Sequence, residues 1–161
     1  MRRGRLPAAT CILVVLTLCP PLGGQALDVP ALVDRAIKLM LSPDRSDGQC
    51  REGLVLLLDA IVKAAPAARI QGAWPAKVAD ARKQVAAGHL FESTALLGDS
   101  YRAVSGKAFV MPAAVRSPDA AKDHIRKQLS SVGSLMEEGR ADEAVRRMME
   151  AALMVVTPVE R

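Results

Sequence analysis

Apolar residues recur at helical spacing through most of the chain. Val29, Leu32, Val33, Ala36, Met40 and Leu41 fall on one stripe and predict a first helix over 29–41. Asp28 is placed to cap it, Pro30 suits its first turn, and Ser42-Pro43 ends it. Ser46 and Gln49 match the capping box that opens a second helix over 47–65. That helix carries Leu54, Val55, Leu56, Leu57, Leu58 and Ile61 and is apolar almost all round, which predicts the buried centre of a bundle.

Residues 67–74 read as a connector. Pro75 opens a third helix that turns Val78, Ala81 and Val85 inward and stops at Gly88. A fourth helix over 90–105 places Phe91, Thr94, Leu97, Tyr101 and Val104 on one face and closes at Gly106. Residues 107–116 have no period, and Phe109, Val110 and Met111 are expected to fold that loop back onto the body. Ser117-Pro118-Asp119 starts a fifth helix that runs to Glu138, and Gly139 is the turn. A sixth helix spans 141–156, with Ala144, Val145, Met148, Ala152 and Val155 inward. Period-two alternation is absent, so the expected fold is an all-α bundle of five to six helices built from antiparallel αα-hairpins around the second helix.

The chain carries an internal echo. Residues 88–93 and 139–144 both begin with a glycine turn, and at the same offset Val78, Ala81, Val85 and Leu97 align with Leu129, Val132, Met136 and Met148. Both units read as helix, glycine turn, helix. The turn at 139–144 resembles the mid-repeat turn of tetratricopeptide proteins. The resemblance covers that turn alone. The family's large aromatic and its packing glycine would fall on Gln128 and Val132, so two similar hairpins in one bundle is the reading retained.

The first 26 residues follow a different pattern. Arg2, Arg3 and Arg5 precede an apolar run from Pro7 to Leu18, then Pro20-Pro21 and Gly24-Gln25-Ala26. Charge, a short apolar stretch, a breaker and small-x-small are the signature of a secretory signal peptide. Cleavage is expected after Ala26, with an uncleaved membrane-anchored form as the alternative; the run is short of the roughly 20 residues a spanning helix needs. Of Leu16-Thr17-Leu18, the bulky Leu18 stands where a lipoprotein site at Cys19 would want a small residue, and the arginine pair lacks the surrounding twin-arginine pattern. The expected location is therefore outside the cytoplasm, periplasmic or secreted. The absence of Asn and the excess of Arg over Lys suggest a GC-rich bacterial source.

Removing a leader changes the charge picture. The chain has 22 Lys and Arg against 17 Asp and Glu, and the three leader arginines account for most of the excess. The remainder is close to neutral, so basicity does not argue for a nucleic-acid partner. Of the three cysteines, Cys11 and Cys19 lie in the leader. Cys50 alone cannot form an internal disulfide, so the fold is expected to hold by packing.

Candidate chemistry is sparse. His89 and Glu92 stand at i, i+3, with Asp123 and His124 in another helix, but a metal site needs three or four converging ligands, so no metal or cofactor is expected. Cys50 lies in the first turn of the second helix, where the dipole favours a reactive thiolate. No general base accompanies it in sequence, and a small apolar group at the bundle edge is the plainer reading; an intermolecular disulfide is another. Met136, Met148, Met149 and Met154 could bind Cu(I) in an oxidising compartment, yet they fall largely on core stripes. Asp34–Lys38, Asp59–Lys63, Asp123–Lys127 and Glu143–Arg147 are acid-first i, i+4 pairs worth about 0.3 kcal/mol each. The acidic pairs Glu137-Glu138 and Asp142-Glu143 sit beside Arg140, Arg146 and Arg147, which points to a solvated turn rather than acid–base catalysis. No nucleophile elbow, phosphate loop, haem-attachment motif or zincin His pair is present.

One feature exceeds structural need. Residues 151–156 are apolar on every side. They are either wrapped by the Phe109 loop and the first helix, or they leave a free patch at Met149, Leu153, Met154 and Val156 for a partner chain. The function expected is a non-catalytic interaction or adaptor module outside the cytoplasm, binding an unknown protein partner or itself. A small-ligand-binding or metal-binding bundle is the alternative, and an enzyme using Cys50 the third reading.

Overall fold

A computed structural model of the chain describes residues 28–157. The expected signal peptide and its cleavage position lie outside the described residues. Within them the protein is all-helical: α1 (Val29–Leu41), α2 (Asp47–Ala64), α3 (Trp74–Ala86), α4 (Leu90–Ser105), α5 (Pro118–Ser130), α6 (Val132–Glu137) and α7 (Ala141–Val156).

The helix starts follow the caps in the sequence. The Asp28 side chain accepts from the Ala31 N–H at 2.8 Å. At α2 both halves of the capping box form: Gln49 N–H donates to Ser46 Oγ at 3.2 Å, and Ser46 N–H donates to Gln49 Oε1 at 2.9 Å. Ser117 Oγ accepts from Ala120 N–H at the start of α5. These bonds satisfy N–H groups that a helix leaves without internal partners.

The helices form two layers of three rods. The first layer runs α1, α2, α3; the second runs α5 with α6, then α7, then α4. Across the layers α1 faces α5 and α6, α2 faces α7, and α3 faces α4. The two central helices are thus α2, apolar almost all round, and α7, whose residues 151–156 are apolar on every side. Leu54, Leu57, Leu58 and Ile61 of α2 are at most 1% exposed. Met148, Met149, Ala151 and Ala152 of α7 are fully buried. Each large aliphatic side chain so placed contributes about 1.5–3 kcal/mol of transfer free energy.

Close approach of α1 to α2 depends on Gly53. A Cβ there would lie 2.5 Å from Met40 Cγ and 3.0 Å from the Ala36 carbonyl oxygen. The bulk that fills the far end of α2 comes from Trp74, which is 1% exposed and donates its indole N–H to the Ile70 carbonyl at 3.1 Å. Trp74 is therefore a core residue in the first turn of α3 rather than the end of a connector.

Two further expectations are corrected. The fifth helix is not continuous to Glu138; it breaks at Ser131 into α5 and α6. Ser130 and Ser131 hydroxyls donate to the carbonyls of Lys127 and Gln128, and Ser134 donates to that of Ser131. Such back-bonding competes with the helical ladder, and Gly133 adds a poor helix former at the same place. Arg147 of α7 then fixes the break through Ser131 Oγ at 2.5 Å. Second, Phe91 does not join the α4 core face: it is 88% exposed, because the inward stripe of α4 runs through Ser93, Leu97, Ser100, Tyr101 and Val104. The small Ser93 and Ser100 are accommodated there by donating their hydroxyls to the Leu90 and Leu96 carbonyls.

The loop over 107–116 crosses beside α4 and α7. Phe109 packs edge-on against Tyr101, ring centres 5.7 Å apart, and Met111 is half-buried. Val110, expected to fold back with them, points outward.

Candidate functional site: two clefts that meet at Cys50

At one end of the bundle the C-termini of α1 and α7 meet the N-termini of α2, α4 and α5. The ends of these rods do not close completely. A cleft of about 290 Å³ opens there. Met40 and Leu41 of α1 form one wall, Pro118, Ala121 and Ile125 of α5 another, and Met154 and Val155 of α7 a third. Arg45, in the α1–α2 turn, and Lys122 of α5 supply its cationic groups. Cys50 lies on the α2 side.

A second cleft, of about 220 Å³, lies against the first and shares Cys50 and Val155 with it. Asp47, Arg51 and Leu54 of α2, Leu90 of α4 and Val156 of α7 complete it. Leu90 is 44% exposed, and the neighbouring Phe91 is the most exposed large apolar side chain among the described residues. The apolar surface of this end therefore runs from the α1–α5 side across Cys50 to the start of α4.

No known protein family, curated protein or solved structure matches the chain.

The residues expected to form a free face on α7 are placed differently from one another. Met149 is fully buried and has no part in any surface. Leu153 is 2% exposed, with its outer side forming part of a shallow groove between α4 and Phe109. Met154, 3% exposed, is a wall of the first cleft. Only Val156 keeps substantial contact with solvent, at the second cleft. The apparent surplus of apolar groups on α7 is the requirement of a central helix covered from both sides by α4, α5, α6 and α2.

Cys50 is a free, half-buried thiol. The helix break that makes it reachable is the α2 N-terminus itself, where the capping box turns the chain away. None of the residues lining its two clefts is a His.

The other candidate groups are dispersed. His89 Nδ1 lies 3.0 Å from Gln84 Oε1 at the α3–α4 turn. His124 instead meets Glu150 of α7 at 3.4 Å and Gln128 at 3.1 Å. Asp123 turns to Arg126 at 3.3 Å, not to Lys127. No group of three or more His, Cys, Asp or Glu side chains among the described residues is arranged to hold a metal ion. Met148 and Met149 pack in the core.

The charged pairs confirm a structural use of the α7 start. Glu143 meets Arg147 at 2.6 Å and also meets Arg140, which holds Glu138 at 2.9 Å. These contacts, Arg147 first, hold the Glu143 carboxyl below the usual carboxylate range. Asp59 takes a two-pronged contact from Arg82, binding α2 to α3, with one N–O distance of 3.0 Å. The Arg82 guanidinium is held above its ordinary value by that bond. Burial, then the Glu150 charge, raises the Tyr101 phenol.

Among the described residues no helix is long and apolar enough to cross a membrane.

Proposed function

We propose that this chain is an exported, non-catalytic helical binding module that recognises a protein partner through the end of the bundle around Cys50, Leu90 and Phe91. The observation that carries this reading is the pairing of exposed Leu90 and Phe91 with a cleft bounded by Leu54 and Val156. A large apolar side chain at 88% exposure has no role in the core, and clustered exposed apolar groups mark interaction surfaces. Aromatic anchors beside a pocket are the usual centre of such surfaces. Export rests on the leader pattern in the first 26 residues. The non-catalytic reading rests on clefts whose lining is apolar apart from a few charges and Thr157, with no His beside Cys50.

The surface proposed is the α4–α2 end, to which α7 contributes Val155 and Val156. A partner that is a second copy gives a mass that rises with concentration in sedimentation velocity, and Phe91→Asp abolishes the rise. A different protein partner gives one discrete adduct when a photo-crosslinking residue replaces Phe91 in the producing cell, and none from an exposed control position such as Lys107. A strict monomer with no discrete adduct at position 91 overturns the reading.

A further inference from the structure

The first cleft differs from the second in its charge. Its walls are apolar, and its charged lining groups are two cations, Arg45 and Lys122. The second cleft carries Asp47 as well as Arg51 and has no such bias. Among the described residues Arg45 has no ion-pair partner, and Lys122 reaches only Asp119, at 3.5 Å, whose side chain is 91% exposed. Both cations thus remain open to an incoming anion.

From this charge complementarity we propose that the first cleft binds a small amphiphile, a free acyl carboxylate whose tail lies against Met40, Ile125 and Met154 and whose head meets Arg45 and Lys122. The walls suit a tail. Met40, Ile125 and Met154 are each at most 4% exposed, so they present packed apolar faces rather than mobile tips. The size is also compatible: about 290 Å³ lies at the lower end of small-molecule sites, which suits a single short chain. A peptide is the poorer fit, because its backbone N–H groups need acceptors and the lining offers little beyond the Thr157 hydroxyl. The first cleft adjoins the protein-partner surface at Cys50 and Val155, but the two are tested by different variants, Arg45→Glu/Lys122→Glu here and Phe91→Asp there.

The probe is decanoate, kept monomeric, added to the full chain. Alkylation of Cys50 by iodoacetamide is followed by peptide mass spectrometry, which separates it from Cys11 and Cys19. Saturating decanoate is expected to slow Cys50 alkylation about tenfold, with decyltrimethylammonium giving no protection at equal concentration. In the Arg45→Glu/Lys122→Glu variant decanoate affinity is expected to fall at least about tenfold, equivalent to about 1.4 kcal/mol, while weak binding of decanol is unchanged. Phosphatidylglycerol vesicles are expected to leave Cys50 unprotected. The proposal is overturned if decanoate fails to protect, if the ammonium protects equally, if the double variant binds decanoate as the wild type does, or if only vesicles protect. The comparison of carboxylate with ammonium needs no variant, so a double variant that fails to fold does not blunt the test.

Discussion

Gly88 and Gly139 close the same turn twice. Their φ angles are 87° and 72°. In the first, Gly88 N–H donates to the Val85 carbonyl and His89 N–H to that of Gln84, at 3.0 and 2.8 Å. In the second, Gly139 N–H donates to Met136 and Arg140 N–H to Leu135, at 3.2 and 2.8 Å. This is one hydrogen-bond pattern, the Schellman ending, at two places in one chain. The helices that follow are both 16 residues long. The hairpins seen in sequence are therefore repeated in backbone geometry, not only in composition.

Gly139→Ala is expected to cost about 1–2 kcal/mol, because a Cβ strains the left-handed conformation even where no atom stands in its way. Gly88→Ala should cost a similar amount, since its only close neighbour is the movable end of Arg51 at 3.2 Å. Urea unfolding of both variants checks this; a loss at one glycine alone contradicts the equivalence of the turns.

Gly53→Ala tests the α1–α2 approach. Helix propensity by itself favours alanine by up to about 1 kcal/mol. Overpacking against Met40 and the Ala36 carbonyl costs about 1–3 kcal/mol, so a net loss of stability is expected. A rise in the thermal midpoint would show that α1 is free to move away.

Leu153→Asp and Phe91→Asp should part company. Position 153 is 2% exposed, and a carboxylate there must be desolvated without a partner, which threatens the whole of a stability near 5–15 kcal/mol. Position 91 is solvent-exposed, and the same change should move stability by no more than about 0.5 kcal/mol. Circular dichroism melts of the two variants decide it. Cooperative melting of Leu153→Asp at the wild-type midpoint would mean that the last helix is not central.

The Glu143 cluster gives a pH dependence of defined sign. Arg147 and Arg140 lower the carboxyl in the folded state, so the folded chain binds that proton less readily than the unfolded chain does. The stabilisation is present at neutral pH, above the unfolded value, and disappears as pH falls through the folded one. The midpoint difference between wild type and Glu143→Gln should accordingly be positive at pH 7 and shrink to nothing in acid. A difference that stays constant with pH would assign the effect to packing alone.

The caps made much of this fold readable. Asp28, Ser46 with Gln49, and Ser117 each mark a helix start locally, and Gly88, Gly106 and Gly139 mark ends. The central position of α2 was visible because one helix with apolar groups all round has few places to go. The same logic applied to α7, yet its alternatives, a covered helix or an open patch, differ only in what packs on it. That depends on distant elements, so Met149, Leu153 and Met154 could not be placed from their spacing. The break at Ser131 was missed because the apolar period continues through it, while the serine back-bonds that cause it do not alter the pattern. The packing role of Gly53 needs the path of α1. The Cys50 clefts were equally hidden, since they arise where the ends of five helices meet.

The pairing of α2 with α7 sets an order of events. The two central rods are far apart in the chain, so the ribosome delivers the first long before the second. Until Ala141 onward has emerged, the inner leucines of α2 have the cover of α1 and α3 but lack that of α7, and apolar surface stays open. A protein wired in this way reaches its final shape only once its last helix has been made.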